Sequence, residues 1–454
     1  MPIVIHVEAQ VKPNVNIKKE TPVLRTSLLE WIKGDRARLV RFIKSAMRTN
    51  GHYMLHELPD ELSQVLEKVS INIDNKTEEL DRLVASRDPE CNSVMLNAEC
   101  YFYPLFDEIM QNNFEEDLPA SFHTLLPSAN LDGLWESLIF DSNIRLKLLN
   151  YVKTSLLFAN QKVNPSIIAW NKVILLHGPP GTGKTSLCKA LSQKYAIRLY
   201  DRYHNFQLIE INSHSLFSKW FSESGKLVLK LFDGIREFAD DSTNLIFVLI
   251  DEVESLAYDR QRNSSSDPSD AIRVVNALLT QIDSIRKYPN VIILASSNVT
   301  EAMDNAFVDR ADIKQYIGLP SECTTYKIYL TCIHELFNSK IIYNMDGNGE
   351  EGSAEEEHRQ LEEAILSYDT LQSITLEMAE KESQSVQVAW SNGSTLLQIV
   401  RKSGTLSGRT IRKLPFLAIA LFSQSAIPMS IEEYMVCLES AVDKQLADNE
   451  YFNV

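Results

Sequence analysis

No stretch of this 454-residue chain approaches the apolar length needed to cross a bilayer. The longest apolar run, Leu245 to Ile250, suits a buried strand. The opening residues, Met1-Pro2-Ile3-Val4, lack the basic stretch and apolar core of a secretory signal, so export is not expected. Cysteine is scarce. The six thiols (Cys91, Cys100, Cys188, Cys323, Cys332, Cys437) form no CxxC pair and no metal-ligand spacing. That excludes a zinc ribbon or a disulfide framework and predicts reduced core thiols in a cytosolic or nuclear protein. Positive charge is in deficit, with 45 Lys and Arg against 61 Asp and Glu and a net charge of −16. The balance argues against a surface built to hold nucleic acid. No internal repeat is evident, and the length predicts two or three domains.

What is present begins with His177-Gly178-Pro179-Pro180-Gly181-Thr182-Gly183-Lys184-Thr185-Ser186. An apolar run, Val173 to Leu176, precedes it and a helical pattern follows. Strand, glycine loop and helix are the context in which GxxxxGK[ST] binds nucleotide phosphates. Backbone N–H groups at a helix N-terminus point at an anion, and glycines let the chain approach it closely. Lys184 is expected on the β and γ phosphates of ATP, and the Thr185 hydroxyl on Mg²⁺. Asn244 to Glu252 then reads as a strand buried on both faces and ending in two carboxylates. At the C-terminal end of a parallel strand, Asp251 is placed to hold the Mg²⁺ shell and Glu252 to polarise the attacking water. A further apolar run, Val291 to Ser296, ends in Ser297-Asn298, which puts Asn298 within reach of the γ-phosphate or its water.

Around this core the chain divides into an N-terminal domain (1–110), a polar, acidic linker (111–125), a large nucleotide domain (126–320) and a helical lid (321–454). The N-terminal part reads as a small α+β domain without a chemical constellation, hence a recognition module. Residues 260–270 read as a mobile loop, and 346–363 as a disordered acidic insert. The segment from Leu134 to Phe158 reads as helical, and Arg409 falls at a Gly-led helix start.

The glycine loop, Asp251-Glu252, Asn298, Arg310 and Gly408-Arg409, in this order, resemble the AAA+ ATPases. Blocks over residues 212–226, 250–256, 268–277 and 307–317 are similar to the branch of that family acting on HORMA-domain proteins. The resemblance is dense over 124–340 and 401–445 and thin over 1–110. It implies an α/β fold with a P-loop parallel sheet, a helical lid and a homohexameric ring. It further implies ATP-driven threading that converts HORMA substrates from closed to open, through a HORMA-type adaptor on the N-terminal domain, at meiotic chromosomes and kinetochores and in the cytoplasm. By the same resemblance Trp220 and Phe221 match the pore loop, Arg310 the trans-acting arginine finger, Asn298 sensor one and Arg409 sensor two. Two positions depart from the wider family: Ser222 follows the aromatic pair where glycine is common, and Val308 stands where a first finger arginine often lies. Two other classes fit the ATPase motifs. A nucleic-acid motor or loader is disfavoured by the acidic balance, and an ATP-gated scaffold by the presence of both finger and catalytic carboxylates.

Overall fold

The computed structural model describes residues 3–48, 51–55, 58–74, 80, 96–107, 121–212, 224–254, 268–299, 305–343, 364–374, 376–379, 383–423 and 428–452. The chain forms two units. One holds Met1–Leu138, Ser142–Gly178 and Lys184–Tyr316; the other holds Ile139–Asp141, Pro179–Gly183 and Ile317–Val454.

In the first unit, strand β1 (Ile3–Val11) lies between β3 (Leu66–Asn72), antiparallel to it, and β4 (Leu96–Tyr103), parallel to it. Strand β2 (His52–Leu55) closes the order β2-β3-β1-β4. Helix Ile17–Gly34 buries Leu24, Leu28 and Ile32, four residues apart and so on one face. Helix Arg36–Arg48 adds Leu39, Val40 and Ile43 to the same core.

The second sheet of this unit carries the nucleotide motif. Its order is β10-β6-β9-β8-β7-β5, from β5 (Ser121–Leu126), β6 (Val173–His177), β7 (Asn205–Asn212), β8 (Asn244–Asp251), β9 (Val291–Ser297) and β10 (Ile313–Tyr316). Strands β6 to β10 run parallel, and β5 pairs antiparallel with β7. Every residue of β9, and all of β8 but Asp251, is buried, as expected when helices cover both faces of a sheet. Val248, Ile250, Ile293, Phe232 and Ile282 meet in that core. Strand β6 lies between β9 and β10 although the chain leaves it for β7, so the order reverses there. In open parallel sheets ligands bind at such a reversal, outside the C-terminal strand ends. The loops after β6, β8 and β9 therefore share one edge.

Two boundaries differ from the sequence reading. Residues 121–125, assigned to the linker for their acidic and proline-containing surroundings, belong with Leu126 to strand β5. Of its residues only His123 and Leu126 are buried, so it lacks the alternation that marks a half-buried strand in sequence. The helical pattern from Leu134 is broken into Leu134–Ser137 and Ile144–Asn160. Residues 108–120, the loop 260–267 and the insert 346–363 lie outside the described residues, and Pro268 already opens helix Pro268–Ile285.

The second unit is helical, as expected. Helices Glu322–Asn338, Gln384–Lys402, Gly408–Phe422 and Ile431–Phe452 pack around Tyr326, Tyr329, Leu396, Ile399, Leu414, Tyr434 and Leu438. A two-residue parallel pair joins β11 (Ile342–Tyr343) to β12 (Met429–Ser430). The C-terminal segment of the unit starts at Ile317, slightly before the expected boundary at residue 321. Among the described residues no helix is long and apolar enough to cross a membrane, and no disulfide forms among Cys100, Cys188, Cys323, Cys332 and Cys437.

Candidate nucleotide-binding site

The loop leaves β6 through Gly178, whose N–H donates to the Ser297 carbonyl of β9 at 3.2 Å. Gly178, Gly181 and Gly183 all have positive φ, at 139°, 75° and 92°. Pro179 and Pro180 flank the first turn, and the Thr182 hydroxyl closes the second on the Pro179 carbonyl at 3.0 Å. Helix Lys184–Arg198 then begins with Lys184, Thr185 and Ser186. Lys184 is 4% exposed, and its Nζ donates to the Gly178 carbonyl at 2.8 Å. A buried ammonium over a loop of left-handed backbone is a fit for phosphate.

The Thr185 hydroxyl donates to Asp251 Oδ1 at 3.0 Å, bringing together the two side chains expected around Mg²⁺. The same carboxylate oxygen accepts from the Ser296 hydroxyl. Among the described residues no cluster of three His, Cys, Asp or Glu could hold a metal alone. One carboxylate and one hydroxyl suit Mg²⁺, which takes its remaining oxygens from substrate phosphates and water. Glu252 follows with φ of +56°, the left-handed region for a side chain with a Cβ. Its N–H donates to Asp251 Oδ1 at 3.2 Å. Asn298 lies just past β9, and its N–H donates to Glu254 Oε1 at 3.0 Å. Lys184, Thr185, Asp251, Glu252 and Asn298 are thus gathered at one sheet edge.

Arg310 is held elsewhere. At the end of helix Asn305–Arg310 its Nε and Nη2 grip Asp283 at 3.0 and 2.8 Å, and Nη1 donates to the Ala306 carbonyl at 2.6 Å. The Arg310 hydrogen bond is the main reason that the Asp283 pKa is lowered. In the other unit, Ser407 caps helix Gly408–Phe422 by accepting from the Thr410 N–H. The Arg409 N–H donates to the Gly181 carbonyl at 3.0 Å, and the Arg409 side chain is exposed. Trp220 and Phe221 lie outside the described residues.

Sequence reasoning missed Ser296 and Glu254, whose only signal was a polar residue beside each recognised motif. It also missed the far end of the glycine-loop helix. There Lys194, 1% exposed, donates to Glu8 at 2.6 Å and Glu136 at 2.8 Å. Arg198 donates to Glu8 and Asp74, each at 3.0 Å. Burial would raise the Glu136 pKa, but the Lys194 ammonium outweighs it and brings it down to about 2. Asp74 is likewise lowered, by Arg198 against burial. His6 lies 3.2 Å from Asp74, yet burial dominates and lowers its pKa to about 3.

Two family profiles match. One, described as "ATPase family associated with various cellular activities (AAA)", spans residues 174–319. The other, "TRIP13-like, AAA+ ATPase lid C-terminal domain", spans residues 321–446. The chain is 45% identical to the pachytene checkpoint protein 2 homolog of Gallus gallus, over 98% of this chain and 94% of that protein. It is 52% identical to the Homo sapiens homolog, over 73% of this chain and 71% of that protein. A solved structure, Caenorhabditis elegans PCH-2 ("Structure of C. elegans PCH-2"), is similar with a TM-score of 0.71 at 33% identity, over 98% of this chain and 100% of that chain.

Proposed function

The chain belongs to the pachytene checkpoint protein 2 family and is an AAA+ ATPase, and from that premise we propose that it couples ATP hydrolysis to opening closed HORMA-domain proteins. It works as a homohexameric ring, on spindle-checkpoint and meiotic-axis substrates, in the nucleus and the cytoplasm. The N-terminal domain receives substrate through a HORMA-type adaptor, and neither membrane nor nucleic acid is a partner. The observation that carries this reading is the 45% identity running over 98% of the chain. It takes in the N-terminal domain and the lid as well as the widely shared ATPase core.

At the site, the N–H groups of Gly181 to Ser186 and the Lys184 ammonium hold the ATP phosphates. Thr185 and Asp251 would hold Mg²⁺, which supplies positive charge against the phosphate oxygens. Glu252 orients the attacking water, and Asn298 donates toward the same centre. Arg310 reaches the γ-phosphate of the neighbouring chain, and Arg409 reads the nucleotide from the lid. Trp220 and Phe221 grip the threaded polypeptide by van der Waals contact. The test uses a purified HORMA-domain protein closed around its partner, with the chain at a tenth of its concentration (about 0.1 equivalent, well inside multiple turnover). The reading predicts partner release that needs ATP and stops with Glu252→Gln. Release that never exceeds one substrate per ring, or proceeds without ATP, contradicts it.

A further inference from the structure

The β8–β9 ladder ends at the Ile250–Ala295 pair, just before the residues that carry the chemistry. Beyond it, three other hydrogen bonds tie residues 251–254 to residues 296–298. The Ser296 hydroxyl donates to Asp251. The Val253 N–H donates to the Ser296 carbonyl at 3.0 Å. The Asn298 N–H donates to Glu254 Oε1 at 3.0 Å. Glu254 is remote from the glycine loop in sequence and belongs to none of the roles assigned above. Its other oxygen, Oε2, is buried without a hydrogen-bond partner among the described residues. Leaving such an oxygen unsatisfied is costly, and native structures keep few such groups.

We infer that Glu254 is a positioning residue for ATP hydrolysis. Its carboxylate fixes the Asn298 backbone against the Asp251–Glu252 turn and so sets where the Asn298 side chain meets the reacting phosphate. A bond from a backbone N–H to a carboxylate is charge-assisted and stronger than a neutral one. It therefore suits a joint where the ladder has stopped. The Ser296 hydroxyl braces the same joint from the Asp251 side. The inference rests on the reading of Asn298 given above.

The experiment compares Asn298→Ala, Glu254→Ala, Glu254→Gln and the Asn298→Ala/Glu254→Ala double variant in the full chain. It measures kcat, KM, the binding of a fluorescent ATP analogue and the melting temperature. Asn298→Ala should lower kcat about tenfold or more, as loss of a donor at the reacting centre does. Glu254→Ala should lower kcat to a similar degree, about tenfold, because small misplacements of a reacting-site group are costly. ATP binding should stay within about twofold, since the phosphate cradle is untouched. Glutamine offers a carbonyl to the same N–H and should restore most of the rate. The double variant should be no slower than the slower single, the signature of two residues acting as one. Wild-type kcat in Glu254→Ala overturns the inference, as do multiplying effects in the double variant. A loss confined to ATP affinity or melting temperature overturns it as well. Wild-type kcat in Asn298→Ala instead overturns the sensor reading itself, and the inference with it.

Discussion

Glu252 occupies a backbone region that costs a non-glycine residue about 1–2 kcal/mol, with φ at +56°. It stays there because its own N–H and the next are both engaged, on Asp251 at 3.2 Å and on the Ser296 carbonyl at 3.0 Å. In the proposed mechanism this strain sits where the carboxylate orients water. Glu252→Gln keeps the shape and removes the charge. It should bind ATP normally while turnover falls about 100-fold or more, which a coupled phosphate-release assay reads directly. Unchanged turnover would remove Glu252 from the mechanism. Gly181 is the second residue under constraint. At φ of 75°, a Cβ would stand 2.5 Å from Ser407 Oγ. Gly181→Ala should lower stability by about 1–3 kcal/mol and weaken ATP binding together. Calorimetric titration and thermal melting test both, and a variant unchanged in either would show that the loop tolerates a side chain.

At the level of elements, the helix Lys184–Arg198 joins two jobs. Its first turn carries Lys184 and Thr185 of the proposed phosphate site, and about 15 Å away, at 1.5 Å per residue, Lys194 neutralises carboxylates of β1 and the Leu134–Ser137 helix. Lys194→Met leaves Glu8 and Glu136 buried without their ammonium, which should cost about 3–5 kcal/mol in urea unfolding. A variant as stable as wild type would mean that the cluster contributes nothing net. The cluster also sets a pH dependence. The folded pKa of His6 is below its unfolded value, so the unfolded chain takes up a proton first as pH falls. Stability therefore begins to drop near pH 6.5 and continues toward about 3. Glu136, lowered from 4.5 to about 2, adds a loss of about 3 kcal/mol as pH falls through that window. Unfolding curves from pH 7 down to about pH 2 should show both declines, and His6→Gln should flatten the upper part.

The same elements explain what could be read in advance. Strands β8 and β9 announced themselves because burial on both faces leaves an unbroken apolar run. The glycine loop did so because its geometry is purely local. Strand β5 was hidden by the acidic, proline-containing residues beside it. Lys194 gave no signal, because its partner Glu8 stands 186 residues away and only the fold brings them together. Asp283 was hidden similarly: nothing local in the helix Pro268–Ile285 marks the carboxylate that grips Arg310.

For the whole molecule, the proposed mechanism has one chain complete another's site. Arg310 lies on Asp283 in its own chain, while Lys184, Thr185, Asp251 and Glu252 gather at the sheet edge. Complementation tests that claim most directly. Arg310→Ala and Glu252→Gln chains, each inactive alone, are co-expressed and purified as mixed assemblies, and ATPase activity is measured. With the finger supplied by the neighbour, an Arg310→Ala chain beside a Glu252→Gln chain regains a complete site. Random mixing in equal amounts should then restore about a quarter of wild-type turnover. A mixture as inactive as either variant by itself would contradict a site shared between chains.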